Sequence, residues 1–535
     1  MSRSITRRRP SPSWIGAVGV GVAALALCLW RLMPGVGFWD TAEFQTVLPV
    51  MGTAHPTGYP SYVLVGWLAA FLLQPIGEPA LRINVLSAIL VAVGAGVTAD
   101  LARRVSGSLV LGIAAGVGTA LTPIVWAIGT HADPHALHFA FVAIILWLLV
   151  RWEEVRRGSP VDPDDLPAFD SRHADRLLLA AAVVVGVSVG NHSLTLLLGP
   201  PILLYVLAVE PRILRRRRFV AACMAAFAIP TVLVRFEMVL RAGWFRAPFV
   251  YANPSTWGGF WYVTSGQQFH DWFTNPLTGW PKRIADLISM ATGQLGPVAP
   301  LVLVAFAVTV VRRPRYALLS GTALALTCFF NSVYPDGAID RYYIGPALIA
   351  WTWLAILGAT AVDLVTGREL ASTGGDWSGW PGDAASRSRR WLGLGVAALI
   401  LLAPSLTAFP TRAEIVDESG DVGAQRWTDE VLTAFEPNAV IVSWWSYSTP
   451  LWYATIVDGR RPDITIVDDR NRLDQNLGDL NQVIARFFPA RPVYLIRNGT
   501  SELSAVEQNY RLEPIGGSVA TNVLRVLPLT TGAAS

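Results

Sequence analysis

The residues best equipped for chemistry come early in the chain. Asp40 and Glu43 stand in Gly37-Phe38-Trp39-Asp40-Thr41-Ala42-Glu43-Phe44, and His55-Pro56-Thr57-Gly58-Tyr59-Pro60 follows shortly after. Three residues apart, the two acids share one face of a helix. A partly desolvated carboxylate beside Phe38 and Trp39 could take a proton from a hydroxyl, as a general base does. The same spacing also makes a helix-capping box, with Asp40 as N-cap and Glu43 reaching back to it. Spacing alone leaves both readings open. A second group, His131-Ala132-Asp133-Pro134-His135-Ala136-Leu137-His138, sets His135 and His138 one turn apart beside Asp133. It would suit a metal ion, a cavity wall or plain capping by Asp133, and the metal is the weakest of the three. Asn191-His192 and Asp340-Arg341-Tyr342-Tyr343 also interrupt apolar sequence. Arg341, opening a span, could clamp a lipid-linked phosphate or anchor its helix at the interface.

These groups are positioned by a chain built for lipid. Of 535 residues, 53% are hydrophobic and 15% charged, against about a quarter charged in soluble domains. Apolar runs long enough for spans lie near 13–33, 81–100, 107–128, 135–150, 176–190, 193–209, 219–238, 297–312, 316–333, 342–363 and 391–409, about eleven in all. The net charge of +4 comes from arginine clusters flanking those runs, a membrane-orientation pattern and not a nucleic-acid surface. Arg3 and Arg7–Arg9, Arg103–Arg104, Arg151–Arg157, Arg212–Arg218, Arg312–Arg313 and Arg387–Arg390 all fall inside if 61–75 lies on the outer surface without crossing. The N-terminus is then cytoplasmic, in a multi-pass protein of the plasma membrane. The loops 34–80 and 238–296, and the tail from residue 410, are then outside.

The tail changes character. Its apolar runs shorten to strand length at Ala439–Trp444, Ile464–Val467, Val493–Ile496 and Val523–Val526, with helix-like stretches at 422–435 and 476–488 between them. The expected architecture is a mainly α, polytopic membrane domain over 1–409 and a small soluble α/β domain over 410–535. Residues 366–390 read as a flexible linker. Cys28, Cys223 and Cys328 lie in apolar runs with no Cys-x-x-Cys spacing, which argues against a disulfide framework or a thiolate metal site. Trp244, Trp257, Trp261, Trp272 and Trp280 in the second loop fit an interfacial belt better than sugar stacking. Asn498-Gly499-Thr500 has the pattern of a glycosylation sequon.

Trp-Asp-Thr-Ala-Glu-Phe followed by His-Pro-Thr-Gly-Tyr-Pro resembles the signature of a membrane family related to the protein O-mannosyltransferases, within the GT-C superfamily. Its members show Trp-Asp-Ser-Gly-Glu-Phe and then His-Pro-Pro-Gly-Tyr-Pro. This chain departs at Thr41, Ala42 and Thr57 and agrees at Asp40, Glu43, His55, Gly58, Tyr59 and Pro60. Aminoarabinose-transferring members carry Lys-Pro-Pro where His55-Pro56-Thr57 stands. Asp340-Arg341-Tyr342-Tyr343 resembles the family's late Arg-Tyr-x-x-Pro element, with Pro346 one position off. The resemblance is strongest over the first two hundred residues. It implies Asp40 as catalytic base, Glu43 as its partner, and His55 near a donor phosphate. Tyr59, Asp133, His135, His192 and Arg341 join them as substrate-binding candidates.

The function expected is transfer of a hexose, mannose first, from a polyprenyl phosphate to an external hydroxyl on protein, lipid or glycan. The lipid-linked sugar is a donor substrate. No cofactor is expected, a divalent cation is not favoured, and no nucleic-acid partner is expected. A transporter or flippase would carry an inverted repeat and mid-membrane charges, whereas here the charges gather at the outer surface and no repeat is visible. A non-catalytic assembly factor is the third reading.

Overall fold

The computed structural model describes residues 12–158, 170–335, 337–367, 384–474, 476–497 and 502–529. The N-terminal arginines, most of the 366–390 linker and the Asn498 sequon lie outside them. The first apolar run is α1 (Pro12–Trp30), and the loop after it holds α2 (Trp39–Val50) and α3 (Pro60–Leu72). Then come α4 (Pro79–Ser106), α5 (Leu109–Ala120), a five-residue α6 (Pro123–Ala127), α7 (Pro134–Arg157), α8 (Ser171–Val189), α9 (Gly199–Val209) and α10 (Arg217–Val239). The second loop forms α11 (Trp257–Ser265) and α12 (Trp280–Leu295), followed by α13 (Leu301–Arg312), α14 (Pro314–Val333), α15 (Ile344–Val365) and α16 (Ala384–Thr407). Proline at the first turn starts α3, α4, α7 and α14, where its missing N–H costs nothing.

Every expected span is helical, yet not every helix is long enough to cross. Six described helices are: Pro79–Ser106, Pro134–Arg157, Arg217–Trp244, Pro314–Val333, Ile339–Val365 and Ser388–Thr407. A seventh would join Trp280–Val298 to Leu301–Arg312 across an 82° bend. The run at 107–128 breaks at Leu121-Thr122-Pro123, leaving α5 with twelve residues, about 18 Å of helix against a hydrocarbon core of about 30 Å. α3 is also short. It buries Tyr62, Val63 and Gly66 against the protein and turns Trp67, Leu68, Phe71 and Leu72 outward.

At the centre stands α15, buried along nearly its whole length, with Trp351 and Trp353 inside the main core. Small residues let the helices around it approach closely. A Cβ at Gly112 on α5 would sit 2.6 Å from the Ala99 carbonyl oxygen and 2.9 Å from Arg103 Cα on α4.

After α17 (Phe409–Ile415) the chain leaves the bundle. It forms α18 (Gly423–Ala434), β1 (Val440–Ser443), α19 (Trp445–Trp452), β2 (Thr465–Asp468), α20 (Asp469–Asp474), α21 (Leu480–Phe487), β3 (Val493–Ile496), α22 (Leu503–Glu507), β4 (Tyr510–Pro514) and β5 (Val523–Pro528). The five strands make one sheet in the order β2-β1-β3-β5-β4, parallel across β2-β1-β3 and antiparallel beyond. Strand alternation divides its core: Ile441 faces Trp427 and Leu432, whereas Val440 and Val442 face Val483 and Ile484. Four expected strands are present. β4 is an edge strand with mostly exposed or half-buried residues, so no apolar run marks it. α19 is not a soluble-domain helix in the usual sense. Trp445 and Trp452 belong to a core shared with Phe44, Leu48, Phe249 and Tyr251 of the membrane part.

The α4–α5 contact can be tested directly. Gly112→Val should cost about 2–3 kcal/mol by forcing the helices apart, seen as a lower melting temperature in detergent. Gly19→Ala, where a Cβ meets nothing within 4 Å, should not lower it.

Candidate active site

Three consecutive residues at the start of α2 each meet the C-terminal domain. Phe38 packs edge-on against Trp427 and Tyr447, with ring centroids 6.1 and 5.7 Å away. Trp39 meets Trp444 edge-on at 5.2 Å. Asp40 accepts a hydrogen bond from Trp445 Nε1–H at 2.8 Å. Trp39 pays for this arrangement with a left-handed backbone, φ 58°, which costs a non-glycine residue about 1 kcal/mol or more. No side chain caps α2, so the capping-box reading of Asp40 and Glu43 does not describe them.

Glu43 turns to His55 instead. It is fully buried, accepts the His55 backbone N–H at 2.7 Å on one oxygen, and pairs with His55 Nδ1 on the other. Burial pushes the Glu43 carboxyl up. Burial also works against a charged His55, but the carboxylates of Glu43 and Asp40 overcome it and lift His55 above its ordinary value. Both shifts favour a proton held between the two. Asp40 goes the other way. Burial would raise it, yet His55, Arg341, the Trp445 bond and Arg470 together hold it below the usual carboxylate range. One oxygen of Asp40, one of Glu43 and one nitrogen of His55 lie within 4.8 Å of one another, a spacing a cation could use. Against that, His55 and Glu43 spend these atoms on each other, and Arg341 and Arg470 already supply positive charge to Asp40.

The second sequence group closes the opposite wall. Asp133 is the N-cap of α7, accepting the His135 N–H at 2.7 Å, so here the capping reading holds. The same oxygen bonds His135 Nδ1 at 2.7 Å, and the other faces Arg341 Nη1 at 3.2 Å. Burial disfavours its charge, but His135 and Arg341 drive the carboxyl far below its usual range. Arg341 then reaches across, with Nη2 4.0 Å from Asp40. His192 accepts the Leu194 N–H and so starts the turn after α8. Its ring lies 5.0 Å from His135, 5.7 Å from Tyr59 and 5.3 Å from Tyr342. Burial, and then the neighbouring imidazoles, push His192 well down, so it is neutral. His135 and His138 do not converge as metal ligands; no cluster of that kind is found there among the described residues.

Together these residues line a cavity of about 740 Å³. Asp40, His55, Tyr59, His135, His192 and Arg341 all face it, Asp133 stands directly behind, and Glu43 lies beneath His55. The cavity continues along an aromatic chain: Tyr342 stacks near Tyr334, which touches Phe330, Phe273 and Trp272. Leu196 and Leu197 complete that apolar end. Sequence reasoning missed two contributors, Trp445 and Arg470, both from the C-terminal domain. One signal was available. Each follows the carboxyl end of a parallel strand, where open α/β sheets place their ligand-facing groups.

Residues 40–213 match the family model described as the protein O-mannosyl-transferase TMEM260 N-terminal domain. The mouse protein O-mannosyl-transferase TMEM260 is 28% identical over 246 residues, 45% of this chain and 30% of its own length. This chain thus spans under a third of that relative. The crystal structure of ArnT from Cupriavidus metallidurans bound to undecaprenyl phosphate superposes with a TM-score of 0.62 at 14% identity, covering 96% of this chain and 98% of ArnT. The apo oligosaccharyltransferase of Archaeoglobus fulgidus superposes at 0.54 and 12% identity, over 91% of this chain and 70% of that one. The chain therefore has the GT-C fold, and its N-terminal third resembles the protein O-mannosyl-transferase TMEM260 family.

Proposed function

We propose that the chain is a membrane glycosyltransferase that moves a hexose, mannose in the first instance, from a polyprenyl phosphate to a protein hydroxyl on the outer side of the plasma membrane. The observation that carries this reading is Asp40: ionised, fixed by the Trp445 N–H, faced by Arg341, and set in a cavity charged at one end and aromatic at the other. A lipid phosphate fits that division, with its phosphate at the arginine and its chain along Phe330, Phe273 and Leu196. The ArnT structure bound to undecaprenyl phosphate and the mannosyl-transferase relative support the donor and the sugar.

In the reaction Asp40 takes the proton of the acceptor hydroxyl as its oxygen attacks the anomeric carbon from the face opposite the phosphate. The bond from that carbon to the phosphate oxygen breaks, and its electrons go to the phosphate, beside Arg341 and protonated His55. The product is inverted at the anomeric carbon, and Asp40 returns its proton to water. His135 Nε2 is buried with no hydrogen-bond partner among the described residues, which leaves it free to bind a sugar hydroxyl.

Asp40→Asn in well-folded protein should reduce transfer from polyprenyl-phosphate mannose by about 100-fold or more; near-normal transfer would remove Asp40 from the mechanism. Trp445→Phe keeps the ring and loses the N–H. Because that bond helps hold the Asp40 carboxyl down, its loss raises the pKa of the base. The acid limb of the rate profile should move to higher pH, with activity lost most at low pH and partly recovered as pH rises.

Orientation has its own test, in a background lacking Cys28, Cys223 and Cys328. Leu214→Cys, exposed among the arginines after α9, should label only after permeabilisation, and Gly420→Cys should label in sealed cells. Labelling of both from outside would overturn the arrangement.

A further inference from the structure

Among the described residues, Arg470 lends its charge to Asp40 but gives none of its side-chain N–H donors to a partner. It opens the short α20 just after β2, and Asp468 fixes that turn by accepting its backbone N–H at 3.0 Å. Its guanidinium lies over the Trp445 ring, 4.8 Å from the centroid, and it faces the cavity within electrostatic reach of Asp40 and His55. Among the described residues it makes no side-chain hydrogen bond or ion pair. Its neighbours are not left this way: Arg472 pairs with Asp469, and Arg497 with Asp469 and the Val442 and Ile496 carbonyls. Arg341, on the far side of Asp40, is also committed, with Nη1 given to Asp133. A guanidinium held by its face against an indole keeps its edge donors free for an oxyanion.

From this geometry we infer that Arg470 is a binding residue for the donor phosphate, forming with Arg341 a clamp whose two arms come from the two domains. The inference rests on the reading of the cavity as a polyprenyl-phosphate site. Neither arginine alone surrounds the phosphate. Arg341 approaches from the opening of α15 in the membrane part, and Arg470 from the carboxyl edge of the C-terminal sheet. Trp445 serves both functions of the site at once. Its N–H holds the base and its face carries the second cation, so the distance between base and leaving group is set by one rigid ring. A phosphate bound between the arginines would also tie the C-terminal domain down onto α2.

The test uses the purified full-length protein in lipid nanodiscs, with undecaprenyl phosphate and the uncharged alcohol undecaprenol as probes. Arg470→Met, which keeps the apolar stem over Trp445, should weaken undecaprenyl phosphate about 10-fold or more and leave undecaprenol unchanged, since only the charge-assisted bonds are lost. Arg470→Lys should restore part of the loss. If Arg470→Met binds the phosphate like the wild type, or loses both lipids equally, Arg470 is not a phosphate ligand although the donor reading survives. If the wild type binds neither lipid, the donor reading fails and takes this inference with it.

Discussion

Everything at the site hangs on one hydrogen bond, from the Trp445 indole to Asp40, made across 405 residues of sequence. A carboxylate at a membrane-facing cavity pays a desolvation cost that normally raises its pKa and neutralises it. Asp40 escapes because one neutral donor and several positive groups converge on it from both halves of the molecule. The neutral donor matters for geometry as much as for charge. Arg341 is 4.0 Å away, a distance that supplies field without fixing direction, whereas an N–H at 2.8 Å fixes one oxygen and leaves the other facing the cavity. The left-handed backbone at Trp39 and the three ring contacts of Phe38 and Trp39 flank that bond and hold the start of α2 against the C-terminal domain.

The charges around it are sorted rather than merely balanced. Glu43, beneath the lining, is paired with His55, which faces the cavity. Asp133 is saturated by His135 and Arg341. His192 is neutral through burial. Among the described residues that line the cavity Asp40 is the one carboxylate, and its neighbours keep it ionised and partly exposed. Side chains that resemble one another in sequence have been given different protonation states by their neighbours alone.

Much of this was legible in the sequence, for definable reasons. Each apolar run read as a span is helical, because a helix in lipid must carry its apolarity in its own residues, whereas α12, read as part of a loop, was not located. Lengths were less legible. Leu121-Thr122-Pro123 ends α5 early, and Pro300 begins α13 after a bend that hydropathy does not register. The first signature placed Asp40, Glu43, His55 and Tyr59, and the interrupted apolar runs placed Asp133, His135, His192 and Arg341. Choosing between capping and chemistry needed the structure, since Asp-x-x-Glu and Asp-Pro-His read alike while only the second is a cap. Trp445 and Arg470 were illegible for another reason. Their role comes from how the C-terminal sheet docks, and α19, rich in Trp, Tyr and Ser, has no periodic apolar face to announce a buried interface.

The docking of α19 against α2 also sets an order of events in the life of the chain. The first signature and the membrane helices are synthesised well before residue 445. During that interval Asp40 lacks its indole donor and the Arg470 charge, while His55 and Arg341, both earlier in the chain, can already hold it down. A nascent chain, or one cut short after α16, would thus carry the whole recognisable motif without the bond that fixes the direction of its carboxylate. The geometry at Asp40 is complete only when the C-terminal sheet has folded against α2.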